Sequence, residues 1–322
     1  MSSAMRIVFM GTPEFAVASL DSIIEHDYNV VGVITSPDKA SGRGQHLHES
    51  AIKKYAEDKG LNILQPSNLK DSGFQEGLAA LDADIQVVVA FRMLPESVWN
   101  MPEKGTINLH ASLLPDYRGA APINWAVING DSETGLSTFF IEKEIDTGRV
   151  ILQEKVQIPN HWSAGQLHDD MMAKGGTLLV KTLEAIEADS FESTDQEQLL
   201  SDVPNPRQAP KIFKEDCKID WQRTSRNIYN HVRGLNPYPT AWSELVSPDG
   251  EVYSVKVFSC TEDSAAHNLS SGSITSDGKS RLSIACGQGI ANIEELQVAG
   301  KKRMVVADFL RGFDLNDKWK FQ

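Results

Sequence analysis

Through the first half of the chain, short uninterrupted runs of apolar and β-branched residues alternate with stretches in which apolar positions recur every three or four residues. Residues 6–10 read as a buried strand, and the turn Gly11-Thr12-Pro13 leads into a helix with Ala16, Leu20, Ile23 and Ile24 on one face. Strands follow at 30–34, 63–64 and 85–90, separated by helices near 51–59 and 74–81. Val87, Val88 and Val89 are consecutive, the pattern of a strand covered on both faces. This order of strand and helix predicts a doubly wound, mostly parallel α/β sheet.

Further strands are expected at 106–109, 137–141 and 150–156. Ser163 and Gln166 then fit a capping box, and Leu167, Met171, Leu178, Leu179, Leu183 and Ile186 form the apolar stripe of a long helix, a core face. From 189 to 210 the periodicity stops and Pro204, Pro206 and Pro210 appear, which suits a linker. Beyond it a short helix at 225–232 precedes strand-like runs at 242–245, 253–258, 282–285 and 290–296. The turns between them contain Pro248-Asp249-Gly250, Asp277-Gly278 and Gly287-Gln288-Gly289, so a small β-barrel or sandwich is expected there. The division that follows is an α/β domain over 1–189, a linker over 190–210 and a β domain over 211–322, with the part before residue 210 expected to fold alone.

Composition agrees with two ordinary domains: 322 residues exceed the roughly 150 of one domain, and 41% hydrophobic with 23% charged residues is near the globular average. No apolar run approaches the roughly 20 residues of a membrane span, and residues 1–5 lack the features of a signal peptide, so a cytoplasmic location is expected. Cys217, Cys260 and Cys286 form no C-x-x-C pair and are expected to be ordinary buried thiols. The net charge of -13 argues against a polyanionic partner, but it is unevenly spread. Up to Asn205 there are 15 basic and 30 acidic residues; from Pro206 onward there are 16 and 14. The last third is therefore the better place for a polyanion to dock, with a plain near-neutral surface as the alternative.

Four segments bear on chemistry. Gly11 has one glycine where a dinucleotide fingerprint needs three, and Asp38 lies 27 positions on instead of about 20, so a tight turn is the better reading than nicotinamide binding. In the loop 36–45, Gly42 and Gly44 flank Arg43, which gives either a mobile loop carrying a cation suited to phosphate or a simple surface loop. His46 and His48 have no third ligand in view, and no metal is expected. The fourth carries most: Asn108 and His110 stand two apart at the end of a strand, hence on one face, where open α/β sheets bind ligands. The turn Asp146-Thr147-Gly148 supplies a carboxylate. An amide, an imidazole and a carboxylate serve acyl transfer to an amine by stabilising an oxyanion and moving protons, although each also has a structural explanation as a strand-end or turn residue. No G-x-S-x-G elbow occurs, which disfavours a serine hydrolase.

The runs Asn108-x-His110-x-Ser112-Leu113-Leu114-Pro115, Tyr117-Arg118-Gly119 and Asp146-Thr147-Gly148 resemble the signature of the folate-dependent formyltransferase family, whose members use 10-formyltetrahydrofolate. Met10-Gly11-Thr12-Pro13, the Pro37-Asp38 loop through Gly44, Gly119-Ala120-Ala121-Pro122-Ile123 and Gly300-Lys301-Lys302 are similar to the members that formylate the methionine carried by initiator tRNA. The resemblance implies a Rossmann-like catalytic domain joined to a smaller OB-like β-barrel, with Asn108, His110 and Asp146 as catalytic trio. It implies that Ser112, Leu113, Leu114 and Pro115 line the folate site and that Arg43 reaches the acceptor end of the tRNA. Lys301, Lys302 and Arg303 are a compact basic cluster expected to contact tRNA in the last domain. A monomer without metal, using a reduced folate and initiator methionyl-tRNA, is expected. The rivals are an enzyme that formylates a small amine such as an amino sugar nucleotide, and a folate or nucleotide binding module. Two stretches depart from the family pattern: 91–94 (Phe-Arg-Met-Leu) and 139–145, with Glu142, Lys143 and Glu144 before the Asp146 turn.

Overall fold

A computed structural model describes residues 5–41, 46–201, 203, 205–316 and 318–322. The chain forms two compact units, and neither is a single stretch of sequence. Unit 1 comprises Met1–Gly119, Thr134–Val156 and Asp169–Gln208; unit 2 comprises Ala120–Glu133, Gln157–His168 and Ala209–Gln322.

Unit 1 is built on a seven-stranded sheet in the order Val150–Gln157, Glu133–Phe140, Thr106–His110, Ile85–Val89, Arg6–Gly11, Asn29–Ile34, Ile63–Leu64. The five strands from Thr106–His110 onward pair in parallel, and Glu133–Phe140 adds antiparallel to Thr106–His110. The doubly wound, mostly parallel expectation is met. Alternation within Arg6–Gly11 sends Val8 and Met10 to one face, where they pack with Leu78, Val88 and Val98, while Ile7 and Phe9 are fully buried on the other. Every residue of Ile85–Val89 is buried, as a strand covered on both faces must be. Gly11 ends its strand without a left-handed φ. What it supplies is clearance, because a Cβ there would stand 2.4 Å from the Ala16 Cβ.

The stretch read as a linker runs along unit 1 for most of its length. Thr194 bridges to Val150, the Arg149 guanidinium donates to Ser193, and Gln196 is only 1% exposed. Absence of periodicity marked irregular backbone, and here irregular backbone is packed.

Unit 2 holds an antiparallel sheet in the order Ile274–Ser276, Leu282–Ala285, Ile290–Val298, Val252–Asp263, Ala241–Val246, Lys320–Phe321, with Met304–Val305 also on Ile290–Val298. Ser273 bridges to Lys320, which brings the two ends of the order together into a nearly closed barrel. Helix Ser225–Gly234 is N-capped by Thr224, whose hydroxyl accepts from the Asn227 N–H. Its Ile228 and Val232 join the barrel core with Leu245, Val257, Ile284 and Leu296. Cys217, Cys260 and Cys286 are free and buried in that core, as expected.

The second unit also takes in segments that precede residue 210. Helix Pro122–Ile128 belongs to it: Asn124 donates to the Gly234 carbonyl at 2.8 Å, and a Cβ on Gly234 would meet Ile128 at 2.5 Å. The capping box is present, with Ser163 N–H donating to Gln166 Oε1 and Gln166 N–H to Ser163 Oγ, and it opens helix Ala164–Glu187. The first turn of that helix is counted with unit 2 and the rest with unit 1.

Candidate active site

Thr106–His110 ends at the carboxyl edge of the parallel sheet, one residue beyond the level at which Leu109 pairs with Val89. Pleating puts Asn108 and His110 on one face. The Asn108 side chain is half-buried and has no hydrogen-bond partner among the described residues. His110 is buried, with Phe139 packed edge-to-face on its ring at 6.4 Å.

The orientation of His110 comes from backbone. Its Nε2 lies 2.9 Å from the Tyr117 carbonyl; a carbonyl only accepts, so Nε2 carries a proton and donates. Nδ1 is thereby turned toward Asp146, whose Oδ2 is 3.8 Å away, a charge-pair approach longer than a hydrogen bond. Asp146 is fixed separately: Oδ2 accepts from the Gly119 N–H at 2.9 Å, and the residue sits in the left-handed region at φ 56°. The Tyr117 carbonyl thus holds the imidazole, and the Asp146 carboxylate faces the ring nitrogen left over.

Two side chains given no role by the sequence complete the arrangement. Gln196 donates from Nε2 to the carbonyls of Asp146 at 2.9 Å and Gly148 at 2.7 Å, so it clamps both ends of the carboxylate turn. Its Oε1 accepts from Nε and Nη2 of Arg118 at 2.9 and 2.7 Å. Arg118 stands in a quoted motif, but Gln196 lies in an aperiodic polar segment where nothing local marks it. Gly148 is required by space, since a Cβ would fall 1.7 Å from the Phe140 carbonyl oxygen.

Ser112, Leu114 and Pro115 are buried and Leu113 partly so. The Ser112 hydroxyl donates to the Asp116 carbonyl at 2.5 Å. Ser137 Oγ donates to the Ser112 carbonyl at 2.6 Å and accepts from the Leu114 N–H and from Gln153. This loop is thus a rigid wall whose polar groups are largely satisfied internally. The departing stretches have plain places: Glu142, Lys143, Glu144 and Ile145 are exposed, while Phe91 and Leu94 join the sheet-face cluster. Arg92 donates to the carbonyls of Pro66 and Ser67.

Of the residues expected to meet tRNA, Arg43 lies outside the described residues. Lys301, Lys302 and Arg303 are exposed at the turn before Met304–Val305; Arg303 is paired with Glu295 and lies over the Phe258 ring at 4.1 Å. Among the described residues no helix is long and apolar enough to cross a membrane.

The chain is similar to known proteins over nearly its whole length. The formyl transferase family model matches residues 5–183, and the model for the formyl transferase C-terminal domain matches residues 211–314. Methionyl-tRNA formyltransferase of Bacteroides thetaiotaomicron is 52% identical over 316 residues, covering 98% of each chain. That of Parabacteroides distasonis is 53% identical over 310 residues, covering 96% of each. Among solved structures, WlaRD, a sugar 3N-formyl transferase crystallised with dTDP and 5-N-formyl-THF, superimposes with a TM-score of 0.65 at 19% identity, covering 94% of this chain and 100% of its own. HypX from Aquifex aeolicus in complex with tetrahydrofolic acid gives 0.63 at 15% identity, covering 96% of this chain and 47% of its own. At such identities the structures speak for the shared fold, and the sequence relatives for the family. The chain belongs to the formyl transferase family and, within it, to the methionyl-tRNA formyltransferases.

Proposed function

We propose that this protein transfers the formyl group of 10-formyltetrahydrofolate to the α-amine of methionine on initiator methionyl-tRNA, giving N-formylmethionyl-tRNA. The observation that carries the reading is the meeting of the His110 imidazole and the Asp146 carboxylate beside the unpartnered Asn108 amide at the carboxyl edge of the sheet. A charge-stabilising donor set and a proton acceptor are the two things an amide-forming acyl transfer needs.

In this scheme the amine lone pair attacks the formyl carbon borne on folate N10. The carbonyl oxygen becomes an oxyanion that accepts from the Asn108 amide and from Nδ1–H of protonated His110. Asp146 takes the proton lost by the attacking amine, directly or through water. Collapse of the intermediate breaks the carbon–N10 bond, and the proton ends on N10, so one C–N bond forms as one breaks. Ser112, Leu113, Leu114 and Pro115 form the wall against which the folate lies, and unit 2 with Lys301, Lys302 and Arg303, together with Arg43, meets the tRNA. The test is to incubate the purified chain with 10-formyltetrahydrofolate and methionyl-tRNA and to assay formylmethionine after deacylation. Formylation of an amino sugar nucleotide in place of methionyl-tRNA would overturn the acceptor, and no transfer to either would leave a binding module.

A further inference from the structure

Unit 2 contains a cleft of about 560 Å³ between helix Pro122–Ile128 and helix Ser225–Gly234, lined by Arg223, Arg226 and Arg233 and by several asparagines, with no carboxylate in its lining. Arg233 is only 7% exposed. Its Nε donates to Asn230 Oδ1 at 2.8 Å and its Nη1 to the Trp162 carbonyl at 2.9 Å, so both partners are neutral. No ion pair to Arg233 occurs among the described residues, and its Nη2 has no partner there, yet it is not sealed from solvent. A guanidinium taken out of water without a counter-charge is costly, and an anion supplied from outside offsets that cost.

The neutral groups point the same way. Arg233 Nε can only donate, so the Asn230 atom facing it is the oxygen and the amide NH2 remains over. Thr224 Oγ1 accepts from the Asn227 N–H and therefore donates to Asn227 Oδ1, which leaves that NH2 over as well. The counter-charges of the other two arginines sit outside the lining: Asp220 is 3.8 Å from Arg223, both more than half exposed, and Glu262 pairs with Arg226. The cleft thus offers three cations and two amide donors with no charged acceptor.

We propose that this cleft is an anion site that seats a backbone phosphodiester of the tRNA substrate, separate from the Lys301, Lys302 and Arg303 turn. Arg223, Arg226 and Asn227 are exposed at the cleft, and the proposal rests on the reading of the acceptor as methionyl-tRNA.

The test uses the full chain and equilibrium binding of initiator tRNA over a range of salt, with R223Q/R226Q and N227D as variants. The two arginines are exposed, and the carboxylate of N227D keeps the acceptor that Thr224 uses, so the fold is preserved. Affinity should fall roughly tenfold in the double variant, its log K against log salt slope should become shallower by about 0.9, and kcat at saturating tRNA should hold. N227D, which sets a carboxylate among the donors, should also weaken binding. K279Q/R281Q removes two charges elsewhere in unit 2 and should bind as wild type. Equal loss in that control, or no loss in R223Q/R226Q, overturns the site. So does a cleft that binds only inorganic phosphate, seen as phosphate stabilisation of wild type but not of R223Q/R226Q with tRNA affinity unchanged. If wild type itself neither binds nor formylates methionyl-tRNA, the acceptor reading has failed, a result distinct from the others.

Discussion

Asn108 and His110 differ in how they are held, and that difference shapes what their replacement should do. Asn108 has a free amide, so Asn108→Ala removes a donor and leaves nothing buried without a partner. His110→Ala opens space beside Phe139 and removes the ring N–H that donates to the Tyr117 carbonyl. Each should lower turnover by about a hundred- to a thousandfold, as loss of an oxyanion donor does, with folate affinity by fluorescence titration largely kept. Near-normal turnover in both would sink the mechanism. Asp146→Asn keeps an acceptor oxygen for the Gly119 N–H but removes the charge facing Nδ1, so a comparable loss is expected, and wild-type kcat would remove Asp146 from the chemistry.

Gln196 is a positioning residue, since it touches the carboxylate turn only through backbone carbonyls. Gln196→Glu retains the acceptor for Arg118 but has no N–H for Asp146 and Gly148, and turns a carboxylate toward their carbonyls. Its kcat should drop roughly tenfold while the KM for methionyl-tRNA holds, because a small misplacement of a reacting group is costly in rate. A melting temperature that falls while kcat stays at the wild-type value would show that Gln196 is structural only.

The carboxylate turn itself can be tested through Gly148. A methyl group there collides with the Phe140 carbonyl oxygen, a backbone atom unable to rotate away, so Gly148→Ala must open the turn. The expected result is a stability cost of about 1–3 kcal/mol by urea denaturation together with a fall in kcat resembling that of Asp146→Asn. Unaltered kinetics would mean that the turn moves without consequence.

Helix Ser225–Gly234 carries a second testable group. Burial holds the His231 imidazole below its ordinary range because desolvation penalises the charged form, and its Nε2 is buried without a hydrogen-bond partner. The unfolded chain takes up this proton at about pH 6.5, whereas the folded chain resists doing so until lower pH. The contribution of His231 is therefore fully present above that pH and is lost as pH falls through the depressed folded value. Thermal unfolding of wild type from pH 7.5 to 5 should show a steeper loss than His231→Gln, and parallel profiles would exclude this histidine as the cause.

Across the whole chain, the discontinuity of unit 2 decides what truncation does. Deleting 210–322 removes helix Ser225–Gly234 and the barrel core, so Ile128 loses the cluster it packs against and Asn124 its acceptor at Gly234. The fragment 1–209 should bind a hydrophobic dye and melt below the unit 1 transition of the full chain; a monodisperse fragment with no dye binding would show that Pro122–Ile128 is stable on its own. The uneven charge makes a separate prediction, that tRNA affinity of the intact chain falls steeply with salt. Affinity that does not change with salt would point to a small acceptor.

Periodicity is local, so the chain alone determined the strands and helices of the parallel sheet, the barrel strands after residue 240, the capping box at Ser163 and the shared face of Asn108 and His110. Burial of the three cysteines followed from the same patterns. What reading along the chain could not determine is which distant segments meet, because that depends on the summed packing of both units. Only tertiary structure brings Asp146 to the far side of His110, turns the imidazole by the Tyr117 carbonyl and sets Gln196 across the carboxylate turn. It also packs Pro122–Ile128 onto Ser225–Gly234, which joins residues more than a hundred positions apart and leaves Arg233 buried without a counter-charge. No spacing rule records such a contact, since the energy that selects it is shared among side chains drawn from the whole chain.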